Sequence, residues 1–299
     1  MNDRCQATKK HHLVSRVILR QFCGPRTLLQ AFDIRSGKVK PLGPGGVCWI
    51  PNLRPADPNA FEVQWRHVED QMPQAFAALE RGDSLDEPLC DLLRRCLAVH
   101  LARSLTVWHL HQRALAAYTK TIEATVLRKP QNAQHLDRHF YSRHGAWPVG
   151  SGLRDMAVSE ELEQLPRMLE TMVPEGFAEN YDRAVEMIKT DKIGVCVAQK
   201  GEFLIGDAPA QSLSSDKPGI GPLGGVTWSE ATVIVMPISR RFAISTEPEG
   251  GYIDLDQHGV EVLNKVQAAS AFRHIIWHPS ADLLDLVQTI RHPATESPR

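Results

Sequence analysis

The sequence predicts an α+β fold, with a mostly helical body and antiparallel β-hairpins near the N-terminus and in the C-terminal third. Between residues 59 and 190, apolar side chains recur every three or four positions, the repeat of helices with one buried face. Around 28–42 and across 193–247, short runs rich in Val, Ile and Phe are punctuated by Gly and Pro, as hairpins are. Strands and helices are grouped instead of alternating, which argues against a parallel βαβ sheet. With 299 residues, 42% of them hydrophobic, a full core is within reach. Each hairpin region alone is too small a sheet to stand by itself. A single domain over 1–299 is therefore expected: a signature and hairpin at 9–45, a helical body at 59–190, hairpins at 193–247 and closing helices at 258–291.

The elements follow in order. Lys9, Lys10, His11 and His12 run into an apolar segment, Leu13 to Phe22, interrupted by Arg16 and Arg20. Four residues apart, these two arginines share a face if the segment is helical. The β-branched Val14, Val17 and Ile18 leave a strand open. Leu28–Ile34 and Lys38–Leu42 flank a turn at Asp33–Gly37, a hairpin. A Pro/Gly-rich loop follows from Pro41 to Pro58. Trp65, Val68, Met72, Phe76 and Leu79 mark a helix from Ala60 to about Arg81, in which Pro73 is expected to introduce a kink or a split. Glu69 lies beside that stripe, where a carboxylate can reach a buried polar site. The longest helix is expected from Ser84 or Asp86 to about Arg128, with room for one break. Its polar stripe carries His100 and Arg103, neighbours one turn apart.

After a His- and Arg-rich connection at 130–152, two helices are expected, one beginning at Ser159 and bent at Pro166, the other from Pro174 to Ile188. Ile193–Ala198 is expected to pair with Phe203–Ile205 around Lys200-Gly201, and Thr232–Met236 with Arg241–Ile244. His258-Gly259 then opens a helix to about Trp277, with Val262, Val266, Ala269 and Phe272 inward and Asn264 on another face.

Composition narrows the function. A formal net charge of −1 gives no broad basic field, so nucleic acid would need a local patch, for which Lys9, Lys10, Arg16 and Arg20 are the candidates. Six cysteines show no Cys-x-x-Cys pair or zinc-ribbon spacing and read as reduced and structural. No apolar leader opens the chain and no run approaches the roughly 18 apolar residues of a spanning helix, so a cytoplasmic location without a membrane partner is expected. A phosphate-cradling Gly-x-x-x-x-Gly-Lys-Ser/Thr loop and a Gly-x-Ser-x-Gly elbow are both missing. Gly219 to Gly224 only superficially resembles a dinucleotide fingerprint, because Pro222 interrupts it and no helix follows.

Several short motifs carry a family likeness. The run His11, His12, Leu13, Val14, Ser15, Arg16, then Leu19, Arg20, Gln21, Phe22 resembles the opening of the bacterial family catalogued as domain of unknown function 4238. In that family a histidine pair or His-Tyr leads into Val-Pro and then Leu-Arg-Asn-Phe. Here Ser15 stands where Pro is usual and Gln21 where Asn is frequent. Val68-Glu69, Arg103, Ile205-Gly206-Asp207-Ala208-Pro209, Met236-Pro237-Ile238-Ser239 and Leu263-Asn264 match further pieces in order along nearly the whole chain. The likeness implies a fold family and candidate positions, and it implies no reaction.

The candidate site is a scattered constellation: His11 or His12, Glu69, His100 or Arg103, Asp207 and Asn264. If folding brings these together, His12, Glu69 and Asp207 could hold Mg²⁺ or Mn²⁺ or activate water, Arg103 could steady phosphate charge and Asn264 could orient a substrate. That chemistry suits a metal-assisted phosphodiester hydrolase acting on RNA or DNA. The competing expectation is a non-catalytic ligand-binding module in which the same residues form a buried hydrogen-bonded network. A third is a protein-interaction module using the loop from Pro41 to Pro58.

Overall fold

The computed structural model describes residues 10–51, 58–123, 129, 132–214 and 230–291. These fall into two compact units, one built from Met1–Arg54, Pro58–Val107 and Phe177–Arg299, the other chiefly from Trp108–Gly176.

The first unit opens with β1 (Lys10–His12), followed by the one-turn α1 (Arg16–Leu19) and a 3₁₀ turn at Arg20–Phe22. The apolar segment is thus helical. It buries Ile18, Leu19 and Phe22 and leaves Arg16 and Arg20 exposed. β2 (Leu29–Asp33) and β3 (Lys38–Leu42) form the expected hairpin, with Gly37 at φ +65° in its turn. β4 (Trp49–Pro51) returns to pair antiparallel with β1, His12 opposite Trp49.

α2 (Pro58–Arg81) is a single helix that runs through Pro73 instead of splitting there; Pro73 is exposed, while Trp65, Val68, Met72, Phe76 and Leu79 are buried. α3 (Glu87–Ala102) is capped by Asp86, whose carboxylate accepts the Leu89 N–H at 3.1 Å. The long helix breaks at Arg103-Ser104, and α4 (Leu105–Ile122) restarts with the Ser104 hydroxyl accepting the Val107 N–H. Leu93, Leu97 and Leu101 of α3 pack into the same core as α1 and α2.

In the second unit, α5 (Ala133–His144) ends on Gly145 at φ +67°, and α6 begins at Ser151. His139 and His144 of α5 meet Glu161 and Glu160 of α6, each at 2.8 Å. α6 (Ser151–Ile188) is continuous, where two helices were expected.

Back in the first unit, β5 (Ile193–Ala198), β6 (Ile205–Gly206) and β7 (Gln211–Leu213) are followed by β8 (Val233–Pro237), β9 (Phe242–Thr246) and β10 (Gly251–Leu255). β8 and β9 form the expected hairpin. The pairing of β5 with the following segment does not occur: β5 lies between β9 and β10, whereas β6 joins another sheet. α7 (Gln257–Ser270) stops well before Trp277, and β11 (His274–Trp277) and α8 (Leu284–Arg291) close the chain. β11 accounts for the difference. His274–Trp277 is buried on both faces between β2 and β6, and such a strand reads as a continuous apolar run indistinguishable from helix by period. The sheets run β10-β5-β9-β8-β7 and β3-β2-β11-β6, so N-terminal and C-terminal segments share the second one. Gly219 to Gly224 lies outside the described residues.

Candidate functional site

The break after α3 creates the site. Arg103 ends the helix, 6% exposed, and its guanidinium turns back to the N-terminal segment. Nε donates to the Leu13 carbonyl at 3.0 Å, Nη2 donates to the Ser15 hydroxyl, and Nη1 pairs with Glu69 Oε1 at 2.9 Å. The Ser15 hydroxyl in turn donates to the same Glu69 oxygen at 2.6 Å. Trp65, one turn before Glu69 on α2, places its ring 5.3 Å from the Arg103 carbon, a cation–π contact. His100, one turn before Arg103, completes the set. Its Nδ1–H donates to the Cys96 carbonyl at 2.8 Å, which fixes Nε2 as the acceptor for the Ser15 N–H and an Arg103 N–H, both at 3.2 Å. Five side chains, Ser15, Trp65, Glu69, His100 and Arg103, thus hold one another and the backbone at residues 13–15.

The charge states follow. Burial, reinforced by the Arg103 charge, pushes His100 down to about 3, so it is neutral, as its accepting nitrogen requires. Burial alone would raise the Glu69 carboxyl, but the Arg103 charge and the Ser15 hydrogen bond outweigh it and hold Glu69 below the usual range. His12 sits on the rim. Burial lowers it first, then the charges of Arg16 and Arg103, while Glu69 and a bond to the Val47 backbone oppose them. The result is a neutral imidazole whose Nδ1 is shielded and without a hydrogen-bond partner. His11, next along β1, is buried, and β1 pairs it with Ile50 where His12 pairs with Trp49.

Asp207 and Asn264 do other work. Both Asp207 oxygens accept backbone N–H groups between α7 and β11: Oδ1 from Phe272 at 2.8 Å, Oδ2 from Arg273 and His274 at 2.8 and 2.9 Å. Asn264 was expected off the buried face of α7 and instead lies on it, 1% exposed, whereas Val262 is 43% exposed. Its amide donates to the Glu202 carbonyl and accepts the Leu204 N–H, both at 2.9 Å. Gln267, one turn on, does the same for Gly206 N–H and the Pro209 carbonyl. The structure therefore gathers His12, Glu69, His100 and Arg103, and engages Asp207 and Asn264 in backbone clamps elsewhere. Arg16 and Arg20 are exposed, as a phosphate contact requires; Lys9 and the Lys10 side chain lie outside the described residues.

The donor set does not fit the Mg²⁺ or Mn²⁺ expected of His12, Glu69 and Asp207. Such ions take several oxygen ligands. Glu69 is already ion-paired, Asp207 accepts three N–H groups, and no group of three or more His, Cys, Asp or Glu among the described residues could hold a metal. Two members were missed in the sequence. Ser15 is the hub of the network, and its signal was a hydroxyl between His12 and Arg16 inside an apolar run. Trp65 read as plain core because stacking on a cation leaves no trace in periodicity.

Compared with known families, residues 10–281 match DUF4238, described as a protein of unknown function. Searches of curated proteins and of solved structures each return no match. No helix among the described residues is long and apolar enough to cross a membrane.

Proposed function

The chain belongs to the DUF4238 family, whose description assigns no reaction, and we propose from its own geometry that it is a binding module for a phosphate-bearing ligand. The observation that carries this reading is the closed pairing of Glu69 with Arg103 and Ser15. It engages Glu69 in an ion pair and a hydrogen bond, and it fixes the segment that presents His12, Arg16 and Arg20 at the rim. Two exposed guanidiniums one turn apart offer the charge-assisted donors that phosphate oxygens take. A nucleic acid is the ligand class that best suits this short cationic edge.

The second reading is metal-independent cleavage of the bound phosphodiester. One observation favours it: burial and the Arg16 and Arg103 charges lower His12, which favours the neutral form that a general base needs.

Titration of fluorescent single-stranded RNA and DNA across a salt series, with chelator present, tests both. Binding that weakens steeply with salt and drops about tenfold in an Arg16→Ala, Arg20→Ala double variant supports the module. Strand scission in chelator that disappears in His12→Ala moves the assignment to the hydrolase. Salt-independent binding, or none, overturns both.

A further inference from the structure

The second unit carries an exposed aromatic surface. Of the seven large hydrophobic side chains exposed among the described residues, five fall between residues 141 and 156: Tyr141, Trp147, Val149, Leu153 and Met156. Scattered apolar side chains are ordinary on a surface, whereas a group concentrated in one short stretch marks a binding face. Tyr141 stacks on Trp147, ring centroids 4.6 Å apart and planes 22° from parallel, so the phenol backs one face of the indole. Trp147 nonetheless stays 53% exposed. An aromatic ring held from behind and bare in front is what a flat nucleobase stacks on.

The polar groups beside the indole define what kind of ring it takes. Between the end of α5 at Gly145 and the start of α6 at Ser151, the connection carrying Trp147 turns through Gly150 at φ +92°. A cleft of about 530 Å³ lies against it, within the range of small-molecule sites, and Trp147 lines this cleft together with Asp137 of α5 and Arg154 of α6. Asp137 stands one turn before Tyr141 on the same face of α5. Arg154 closes the first turn of α6, its N–H donating to the Gly150 carbonyl at 3.2 Å. The carboxylate of Asp137 and the guanidinium of Arg154 approach to 3.6 Å, an ion pair too long to be a hydrogen bond. An acceptor and a donor thus stand side by side next to a stacking surface, with hydrogen-bonding capacity left for a ligand.

We propose that this cleft binds a guanine base, its ring on Trp147, its N1–H and N2–H on the Asp137 carboxylate and its O6 on the Arg154 guanidinium. Complementarity of charge and hydrogen bonding selects that base. A carboxylate accepts two parallel N–H donors, and among the four bases only guanine presents two neighbouring nitrogens that donate from one edge. Its O6 lies next to them, where an adjacent guanidinium donates. Adenine and cytosine bring a single amino group to that edge, and an apolar peptide would leave the charged pair unmet. The site does not draw on the Arg16 and Arg20 edge of the first unit and stands or falls apart from it.

Calorimetric titration of the full chain with GMP, IMP, AMP, CMP and UMP tests it. The expected result is saturable one-to-one binding of GMP, about tenfold weaker for AMP, CMP and UMP and several-fold weaker for IMP, which lacks the 2-amino group. Trp147→Ala should weaken GMP binding about tenfold, and Asp137→Asn should erase the preference for GMP over IMP, a ratio that a general loss of structure would not change selectively. Circular dichroism confirms that each variant is folded. The Arg16→Ala, Arg20→Ala double variant should bind GMP as the parent does. An RNA pentamer with one guanine among adenines, set against the all-adenine pentamer, separates the two sources of the base: binding tighter than GMP assigns a base within a strand, binding no tighter assigns the free nucleotide, and either retains the guanine site. Equal heats for the five nucleotides, absence of saturation, or GMP binding unchanged in both Trp147→Ala and Asp137→Asn overturns the proposal. So does self-association in sedimentation that Trp147→Ala abolishes, without nucleotide binding, which would give the aromatic surface to a second copy of the chain.

Discussion

Arg103 holds more of the N-terminal segment than any other side chain described in the site, because its guanidinium meets the Leu13 carbonyl, the Ser15 hydroxyl and the Glu69 carboxylate together. Only a planar fork of donors can reach all three, so lysine is not a conservative replacement. Removing the cation leaves Glu69 charged and partly buried, and removing one partner of a buried pair costs about 3–5 kcal/mol. Arg103→Lys should therefore lower stability by roughly 2–4 kcal/mol, with the ammonium recovering part of the pairing. Glu69→Gln should cost less, about 1–3 kcal/mol, because the amide oxygen still accepts from Ser15. Denaturant midpoints decide this: a loss in Glu69→Gln as large as in Arg103→Lys would mean that the charge on Glu69, and not the fork of Arg103, dominates the network. Cys96 shows the same burial in another form, its thiol pushed up to about 12 chiefly by desolvation, so it is an inert core residue.

At the scale of elements, α7 substitutes for a strand. The chain from Glu202 to Pro209 passes along it, and Asn264 and Gln267 supply the backbone groups of that segment with partners a neighbouring strand would otherwise give. Gly206 permits the approach, since a Cβ there would stand 3.0 Å from the Gln267 carbonyl and 3.1 Å from the Ala271 Cβ. Asn264→Ala leaves the buried Leu204 N–H unmet, at about 1–3 kcal/mol, and removes the donor to the partly buried Glu202 carbonyl. Thermal unfolding should show that loss, while ligand binding at a temperature where the variant is folded should match the parent; loss of binding at full stability would return Asn264 to the site.

This clamp also marks where the sequence stopped being legible. Local signals were readable: the α2 stripe, the Gly37 turn and the β8–β9 hairpin each depend on neighbours in sequence. The partner of β5, the strand at His274–Trp277 and the inward turn of Asn264 depend on segments dozens of residues away. In α7 the apolar count pointed at Val262, because a buried amide with backbone partners is as well satisfied as a buried valine and carries no hydropathic mark. Of the candidate site, the His12–Glu69–His100–Arg103 grouping was legible through residue type and helical spacing. The separation of Asp207 was not, because a carboxylate at a strand end serves a pocket or a turn with the same sequence around it.

For the whole molecule, proton binding links these buried groups to folding. His12, His100 and His274 are each lowered chiefly by burial, so between their folded and unfolded values the unfolded chain binds more protons. Their contribution is complete above the unfolded value near 6.5 and is lost as pH falls below it. Glu69, also lowered, adds a loss in the same direction further into acid, below about 4.5. Asp207 opposes them: burial raises it against its three N–H bonds, so its share of instability is relieved as pH falls through its raised value. Since His100 titrates near 3 in the fold, it stays neutral at pH 5 while its unfolded counterpart is charged, a difference on the order of 2 kcal/mol at that pH. Stability should therefore fall from pH 7.5 to pH 5, and His100→Gln, less stable throughout but unable to titrate, should fall with a shallower slope. Urea unfolding at pH 7.5, 6 and 5 measures both lines. Parallel slopes would mean that His100 is charged in the folded chain, which its acceptor role toward the Ser15 N–H forbids, and would break the network at its centre.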